Sequence, residues 1–161
     1  MNYAQSLFND WHTITGSGKS TWLKTHATDG KVISRDVIRY SLLQEGDEYF
    51  SKENEVYRIF VDEIRKSIDE NENTYVDATN LNKFARNKLL SAIGMGYLQN
   101  VNVFAIFKNT PLDVCMERNG KRTGRAKVPN KEILKMARNL ALPNPQTEPL
   151  IKGLYEVKEN D

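Results

Sequence analysis

The 161-residue sequence has a single cysteine and no long apolar run. Cys115 has no second cysteine with which to form an internal disulfide, so we expect the protein in a reducing compartment. No apolar stretch approaches the length of about 18 residues that a membrane-spanning helix needs, and the first residues lack the basic and apolar regions of a signal peptide. These absences disfavour the secreted and membrane-spanning classes and predict a cytoplasmic protein with no membrane partner.

Positive and negative charges are also nearly balanced. The net charge of +2 is too small to indicate nucleic-acid binding by itself, so the positions of the positive residues matter more. Hydrophobic residues make up 39% and charged residues 27%, which is typical of a folded globular domain. The sequence contains no internal repeat, low-complexity block or linker, and its length suits one domain. We therefore predict a single domain over residues 1–161.

The strongest motif is the glycine-rich segment at residues 13–22, T-I-T-G-S-G-K-S-T-W. It matches the phosphate-binding pattern G-x-x-x-x-G-K-[ST] except at the first position, where Thr13 replaces glycine. Such a loop turns successive backbone N–H groups towards phosphate oxygens at the start of a helix. Lys19 would contact the outer phosphates of ATP, and the Ser20 hydroxyl would bind Mg²⁺. A plain glycine–serine turn before a helix is the alternative. The predicted nucleotide-binding residues are Gly16, Ser17, Gly18, Lys19, Ser20 and Thr21.

Apolar runs bounded by turn residues predict the strands. They lie at residues 31–34, 74–77, 101–107 and 153–157. The polar segment at residues 7–14 should either form a short, poor strand or leave that place in the sheet imperfect. Helical periodicity and capping signals predict helices at residues 19–28, 35–43, 53–71, 82–93, 110–118 and 130–141. Strands that alternate with helices imply a parallel sheet of about five strands, covered on both faces, with ligands at the carboxyl ends of the strands. The predicted fold class is α/β.

Finer expectations concern helix ends and the core. Thr110 should cap the helix at 110–118 with Pro111 in its first position, and Gly94 and Gly96 should close the helix at 82–93. Cys115 should be a packed thiol rather than a nucleophile. The residues predicted to make apolar contacts are Val56, Phe60, Ile64 and Ile68 on one helix, and Val37, Ile38, Leu42 and Leu43 on another.

Polar features should meet around the phosphate loop at the carboxyl edge of the sheet. Asp36 follows a predicted strand, where its carboxylate could accept a proton from a substrate hydroxyl or complement the dipole of its own helix. Arg39, one turn later, could bind a substrate phosphate or pair with Asp36. Asp77 could orient magnesium through water or cap a turn. The basic loop at residues 119–128 could be a mobile lid over phosphates or a solvated turn.

Four strings, G-S-G-K-S-T-W, S-R-D-V-I-R, D-A-T-N-L-N and E-R-N-G-K-R-T-G-R-A-K-V-P, follow one another in this order. Together they resemble the kinase domain of phage polynucleotide 5′-kinase. The resemblance implies the α/β P-loop kinase fold with a basic lid. It also implies that Asp36 is the general base for a 5′-hydroxyl and that Arg39 holds the neighbouring substrate phosphate. In the lid, Arg122 would bind the donor phosphates with support from Arg118.

The sequence departs from the family pattern at several places. Thr13 replaces the first loop glycine, and Ala78 stands where the family has an acid, with Asp77 one position earlier. The lid is slightly longer, so Arg125 competes with Arg122 for the role of the main lid arginine. No D-x-D-G-T phosphatase signature occurs. Processing of 3′ ends would therefore need a separate phosphatase, and a ligase is a second possible partner.

We therefore predict an ATP- and Mg²⁺-dependent kinase that phosphorylates the 5′-hydroxyl ends of RNA or DNA in nucleic-acid repair. The alternatives are a small-molecule kinase of the same fold, acting on a sugar or nucleoside, and a catalytically weak nucleotide-binding module. Neither an RNA-or-DNA preference nor an oligomeric state follows from the sequence. The predicted catalytic residues are Lys19, Asp36, Arg39 and Arg122, with Arg118 and Arg125 as further nucleotide-binding residues and Ser20 and Asp77 at the metal.

Overall fold

The computed structural model describes residues 7–11 and 14–158, and within residues 7–11 it describes the backbone alone. The strands are β1 (Leu7–Trp11), β2 (Lys31–Ser34), β3 (Thr74–Asp77), β4 (Asn102–Lys108) and β5 (Ile151–Val157). The helices are α1 (Lys19–His26), α2 (Arg35–Leu42), α3 (Glu53–Asp69), α4 (Lys83–Ile93), α5 (Met95–Leu98), α6 (Leu112–Gly120) and α7 (Asn130–Asn139). The predictions for Thr13 lie outside the described residues. Across the described ranges, no helix combines the length and apolarity needed to cross a bilayer.

The five strands form one parallel sheet in the order β2-β3-β1-β4-β5. β1 is the central strand: Asn9 lies opposite Tyr75 of β3 on one side and opposite Phe104 of β4 on the other. The expected strand in the polar segment before the phosphate loop is therefore confirmed, although it is shorter than residues 7–14. Two neighbouring strands provide backbone hydrogen bonds that do not depend on side-chain polarity, so a strand with Asn9 and Asp10 in its middle can occupy this place.

Both faces of the sheet are covered, as the prediction of a parallel α/β sheet requires. On one face, Val76 of β3 packs in a cluster with residues from α3, α4 and β4. On the other face, Tyr75 packs with Leu23 of α1, Ile106 and Val157. The predicted apolar stripe of α3 is confirmed, because all four of its residues are buried: Val56, Phe60, Ile64 and Ile68.

Three local predictions are wrong. Gly94, with φ +95°, does end α4, but Gly96 lies inside the short helix α5, which the sequence did not indicate. Thr110 does not cap α6: the helix begins at Leu112, and the Thr110 hydroxyl instead donates a hydrogen bond to the carbonyl of Ser17 at 2.9 Å. Val37 is 68% exposed rather than packed in the core. The last two differences both lie at the candidate site.

A buried ion pair joins α4 to the segment before β5. The Arg86 guanidinium donates from Nε and Nη2 to the two carboxylate oxygens of Glu148, both at 2.7 Å, and from Nη1 to the carbonyl of Ala141 at 2.7 Å. The exposed fractions of the two side chains are only 1% and 3%. The backbone N–H of Ala141 in turn donates to the carbonyl of Leu81, 2.7 Å away, beyond β3. These contacts therefore hold the segment that follows β3 against the segment that precedes β5.

Candidate active site

The phosphate loop connects β1 to α1 and depends on two glycines in the left-handed region. Gly16 has φ +86° and Gly18 has φ +89°, conformations that residues with a Cβ rarely adopt. A Cβ added to Gly16 would lie 2.4 Å from the carbonyl oxygen of Cys115, so the α6 backbone leaves no room for one. Gly18 is the N-cap of α1, and Lys19 is the first helical residue. The cradle expected from the sequence is therefore present, with the helix N-terminus behind it.

A cavity of about 420 Å³ opens beside this loop. Three cationic side chains line it: Lys108 from the end of β4, Arg118 from α6 and Arg122 from the lid. Lys108 is buried and was not among the sequence candidates; its Nζ donates to the carbonyl of Lys158 at 3.0 Å. An ammonium carries three N–H donors, so this bond leaves donor capacity for a ligand. A concentration of positive charge around a glycine cradle suits a polyanion such as a triphosphate.

Lys19 and Asp77 form an ion pair at the carboxyl edge of the sheet, with Nζ 2.7 Å from Oδ1. Asp77 ends β3, the strand between β1 and β2, and Ser20 presents an exposed hydroxyl in the first turn of α1. Carboxylate and hydroxyl oxygens are the ligands that Mg²⁺ prefers. The residue types at this position therefore fit a magnesium ion carried by a nucleotide, with Ser20 and Asp77 as its protein-side partners.

The basic loop at residues 119–128 is closed at its base by two hydrogen bonds. Buried Asn119 donates from Nδ2 to the carbonyl of Val128 at 2.7 Å and accepts from the N–H of Val128 at 3.0 Å. Arg122 points to the phosphate loop, where its Nη1 donates to Thr15 Oγ1 at 2.9 Å. Arg125 reaches the other way and approaches the carbonyl of Asp47 at 3.4 Å. The two rival lid arginines therefore face different parts of the site.

Asp36 lies in the first turn of α2, directly after β2. Ser34 begins this helix, since its Oγ accepts from the N–H of Val37 at 3.5 Å. The Asp36 side chain is exposed, so an incoming acceptor could reach it. β2 and β1 are separated by β3 alone, so the strand ends that carry Asp36 and the phosphate loop lie about 10 Å apart, twice the spacing of neighbouring strands. A transferable phosphate and an acceptor hydroxyl fit within such a gap.

Arg39 is 4% exposed and is the centre of a polar cluster. Its Nη1 donates to Asp36 Oδ1 and, at 3.0 Å, to the Tyr49 hydroxyl. Its Nε and Nη2 donate to Glu53 Oε2 at 3.2 and 2.8 Å. The other carboxylate oxygen of Glu53 is paired with Arg35. These contacts use four of the five N–H donors of the guanidinium, so Arg39 pairs with Asp36 and one N–H takes no part in them.

Comparison with known proteins gives a family. The model of an AAA domain, AAA_33, matches residues 14–143, which include the phosphate loop, the acidic residues and the lid. The chain belongs to this AAA domain family. No curated protein matches the sequence significantly.

Solved structures show that this AAA domain has the α/β P-loop kinase fold. A sugar kinase from Janibacter sp. HTCC2649 is 15% identical with a TM-score of 0.65, covering 98% of this chain and 87% of its own. A gluconokinase from Sinorhizobium meliloti 1021 is 19% identical with a TM-score of 0.59, covering 100% and 86%. A chain of the Pnkp1/Rnl/Hen1 RNA repair complex is 19% identical with a TM-score of 0.72, covering 84% and 44%. At these identities the likeness concerns the fold.

Sequence reasoning missed the side chains that surround Asp36 and Arg39 in this AAA domain. Tyr49 lies in the α2–α3 connection and Glu53 begins α3, and both contact Arg39. No motif marks them, because an acid at the start of a helix and a tyrosine in a loop are ordinary. Lys108 was not predicted because it lies at the end of an apolar strand and belongs to no motif. The buried thiol of Cys115 is confirmed.

Proposed function

We propose that this AAA domain is an ATP-dependent polynucleotide kinase that phosphorylates 5′-hydroxyl ends of RNA or DNA. The observation that carries the choice of acceptor is an exposed apolar patch beside Asp36, formed by Val37, Tyr40 and Phe50. On this reading the protein binds the donor nucleotide at the phosphate loop and the acceptor at the start of α2.

The donor side is supported by the glycine cradle and its cations. Lys19 and the backbone N–H groups of the phosphate loop would hold the outer phosphates, and Arg122, which already contacts this loop, would close over them. Ser20 and Asp77 would hold Mg²⁺, which supplies positive charge to the transferred phosphoryl group. Arg125 faces the acceptor side and would contact the incoming strand instead.

In the proposed reaction, a phosphoryl group passes to the acceptor hydroxyl and Asp36 takes the proton of that hydroxyl. The 5′-hydroxyl oxygen forms a bond to the γ-phosphorus of ATP while the bond between that phosphorus and the β,γ-bridging oxygen breaks. The proton of the hydroxyl passes to the Asp36 carboxylate, and ADP leaves with the electron pair of the broken bond. Arg39 would use its remaining N–H to hold the substrate phosphate next to the reacting sugar.

The patch favours a nucleic acid over a sugar. Val37, Tyr40 and Phe50 are 68%, 44% and 68% exposed, so large apolar surfaces face solvent at the place where an acceptor must bind. Stacking on an aromatic ring stabilises a nucleobase by roughly 1–3 kcal/mol without regard to its sequence. A free sugar is recognised mainly through its hydroxyls and would gain little from such a surface. The patch therefore suits an acceptor that carries bases.

The direct test offers γ-labelled ATP to 5′-hydroxyl oligonucleotides, mononucleotides and sugars in parallel. We expect label on oligonucleotides, and a loss of at least about 100-fold in Asp36→Asn, a typical value for a general base. Glu48→Gln, which changes an exposed carboxylate in the nearby loop, is the matched control and should keep normal turnover. Label on sugars alone would reject the proposal.

Two further experiments test the stacking on the apolar patch and the alternative of a weak nucleotide-binding module. An oligonucleotide with an abasic 5′-terminal residue should be a poorer acceptor than the intact one, because it cannot stack. A large gain of turnover in Thr13→Gly would instead indicate a degenerate, weak nucleotide-binding module. The Pnkp1/Rnl/Hen1 RNA repair complex, one chain of which shares this fold, is a precedent for seeking a separate phosphatase or ligase partner.

A further inference from the structure

Tyr49 connects the two residues proposed to handle the acceptor. Its hydroxyl donates to Asp36 Oδ1 at 2.9 Å and accepts from Arg39 Nη1 at 3.0 Å. The ring lies against the Arg39 guanidinium, whose carbon is 4.7 Å from the ring centroid. Tyr49 is therefore in contact with both the charge and the carboxylate of the pair.

The consequence of this geometry is that the two oxygens of Asp36 differ. Oδ1 accepts from both Tyr49 and Arg39, which fills the two lone-pair positions of a carboxylate oxygen. Within the described part of the chain, the hydrogen bonds of the Asp36 side chain all involve Oδ1. Oδ2 is therefore the oxygen that is available to an incoming hydroxyl, and the Asp36 side chain is exposed enough for one to arrive.

The surroundings keep the Tyr49 hydroxyl a donor and its ring in place. Burial, and after it the charge of Asp36 and the hydrogen bond to that carboxylate, raises the pKa of Tyr49, so the hydroxyl keeps its proton at every pH where the protein would act. Tyr40 and Phe50 contact the ring edge-on, with centroids 6.0 and 4.7 Å away. The donor is thus held by packing on two sides and by the guanidinium over its ring.

Arg39 alone would not orient the carboxylate to the same degree. Glu53 holds Arg39 through two hydrogen bonds, but a single contact from Nη1 to Oδ1 leaves the Asp36 carboxylate free to rotate about its last torsion. The second donor, from a different direction, restricts this rotation. Holding a reacting group in one geometry raises the reaction rate, because the group has less conformational freedom to lose in the catalytic step.

We propose that Tyr49 is a positioning residue that fixes the Asp36 carboxylate through Oδ1 and so presents Oδ2 as the base for the acceptor hydroxyl. The inference rests on the proposed phosphoryl transfer to an alcohol. The inference assigns a role to Tyr49, which lies outside the four strings that carry the family resemblance. Tyr49 would act through Asp36 rather than on the substrate.

The test is Tyr49→Phe, which keeps the ring and removes the hydroxyl. We expect kcat to fall about 10-fold, as the loss of one hydrogen bond to a charged group predicts, while KM for ATP and for the oligonucleotide stays within about twofold. The control is Tyr155→Phe, which removes an exposed tyrosine hydroxyl on β5, at the opposite edge of the sheet, and should change neither kcat nor KM.

Several results would overturn the inference. An unchanged kcat in Tyr49→Phe would show that the hydroxyl does not position Asp36. A folded fraction that falls together with kcat, measured by thermal unfolding, would assign the hydroxyl to stability instead. An equal loss in Tyr155→Phe would show that the effect does not depend on contact with Asp36. Failure of the proposed function itself is distinguishable, because the unaltered protein would then label no 5′-hydroxyl oligonucleotide at all.

Discussion

The buried pair between Arg86 and Glu148 gives the sharpest prediction about stability. Replacing Arg86 by alanine removes three hydrogen bonds of 2.7 Å and leaves the Glu148 carboxylate in a place that is 3% exposed. Within the described part of the chain, that carboxylate also accepts a hydrogen bond from the backbone N–H of Asn144 at 3.1 Å, a donor that carries no full charge. A buried carboxylate without its cation is among the most costly defects that a single substitution can create.

The expected loss is about 3–5 kcal/mol in the free energy of unfolding, the usual cost of breaking one side of a buried pair. A domain of this kind has about 5–15 kcal/mol in total, so the variant should be only marginally folded. Replacing both residues by leucine should recover much of the loss, since two apolar side chains need no counter-charge. That recovery would identify the unpaired charge, rather than lost packing, as the cause.

Urea unfolding followed by circular dichroism measures these differences directly. The matched control is Arg58→Ala, because Arg58 forms an exposed pair with Asp62 at 3.4 Å within one helix. That substitution should cost at most about 0.5 kcal/mol. The reasoning fails if Arg86→Ala lies within about 1 kcal/mol of the unaltered protein, or if the double leucine variant is no more stable than the single variant.

Two further predictions concern the phosphate loop and the pH dependence of stability. Gly16→Ala should lower ATP binding at least about 10-fold, measured by calorimetry, because its Cβ would collide with the Cys115 carbonyl and its φ is positive; normal binding would contradict the proposed cradle. The hydrogen bond from Lys31, and after it the positive charge of that residue, lowers the pKa of Glu63. The folded state therefore gains stability from this pair above the ordinary carboxyl pKa and loses it as the pH falls through the lowered pKa. Both groups are partly exposed, so Glu63→Gln should cost less than about 1 kcal/mol at pH 7 in thermal unfolding, and the difference should disappear in acid. A difference that persists at low pH would assign the effect to packing.

Much of the fold follows from local patterns. β2 and β3 have the predicted bounds, because each is a short apolar run between turn residues. The buried stripe of α3 follows from its four-residue period. The conformation of Gly16 and Gly18 follows from the spacing of the phosphate loop, since the turn requires residues that tolerate positive φ. In these cases the information lies within a few neighbouring residues.

The contacts around Asp36 and Arg39 could not be predicted in the same way. The sequence offered Arg39 either as a ligand of phosphate or as a partner of Asp36, and the structure places it in the pair, with one donor left. The contacts that decide this come from Tyr49 and Glu53, which reach Arg39 only because the α2–α3 connection folds back over α2. The exposure of Val37 likewise depends on which side of α2 faces the sheet.

The sequence by itself therefore determined a parallel α/β fold and the glycine-rich turn of the phosphate loop, whereas the residues of a kinase reaction stay a prediction. Only the tertiary structure decided that a polar strand sits at the centre of the sheet, that Arg86 pairs with a carboxylate 62 residues away, and that Tyr49 contacts Asp36. The physical reason is that periodicity and turn chemistry act between neighbours in the chain. Strand order and the pairing of distant charges depend on which surfaces meet after the chain has folded.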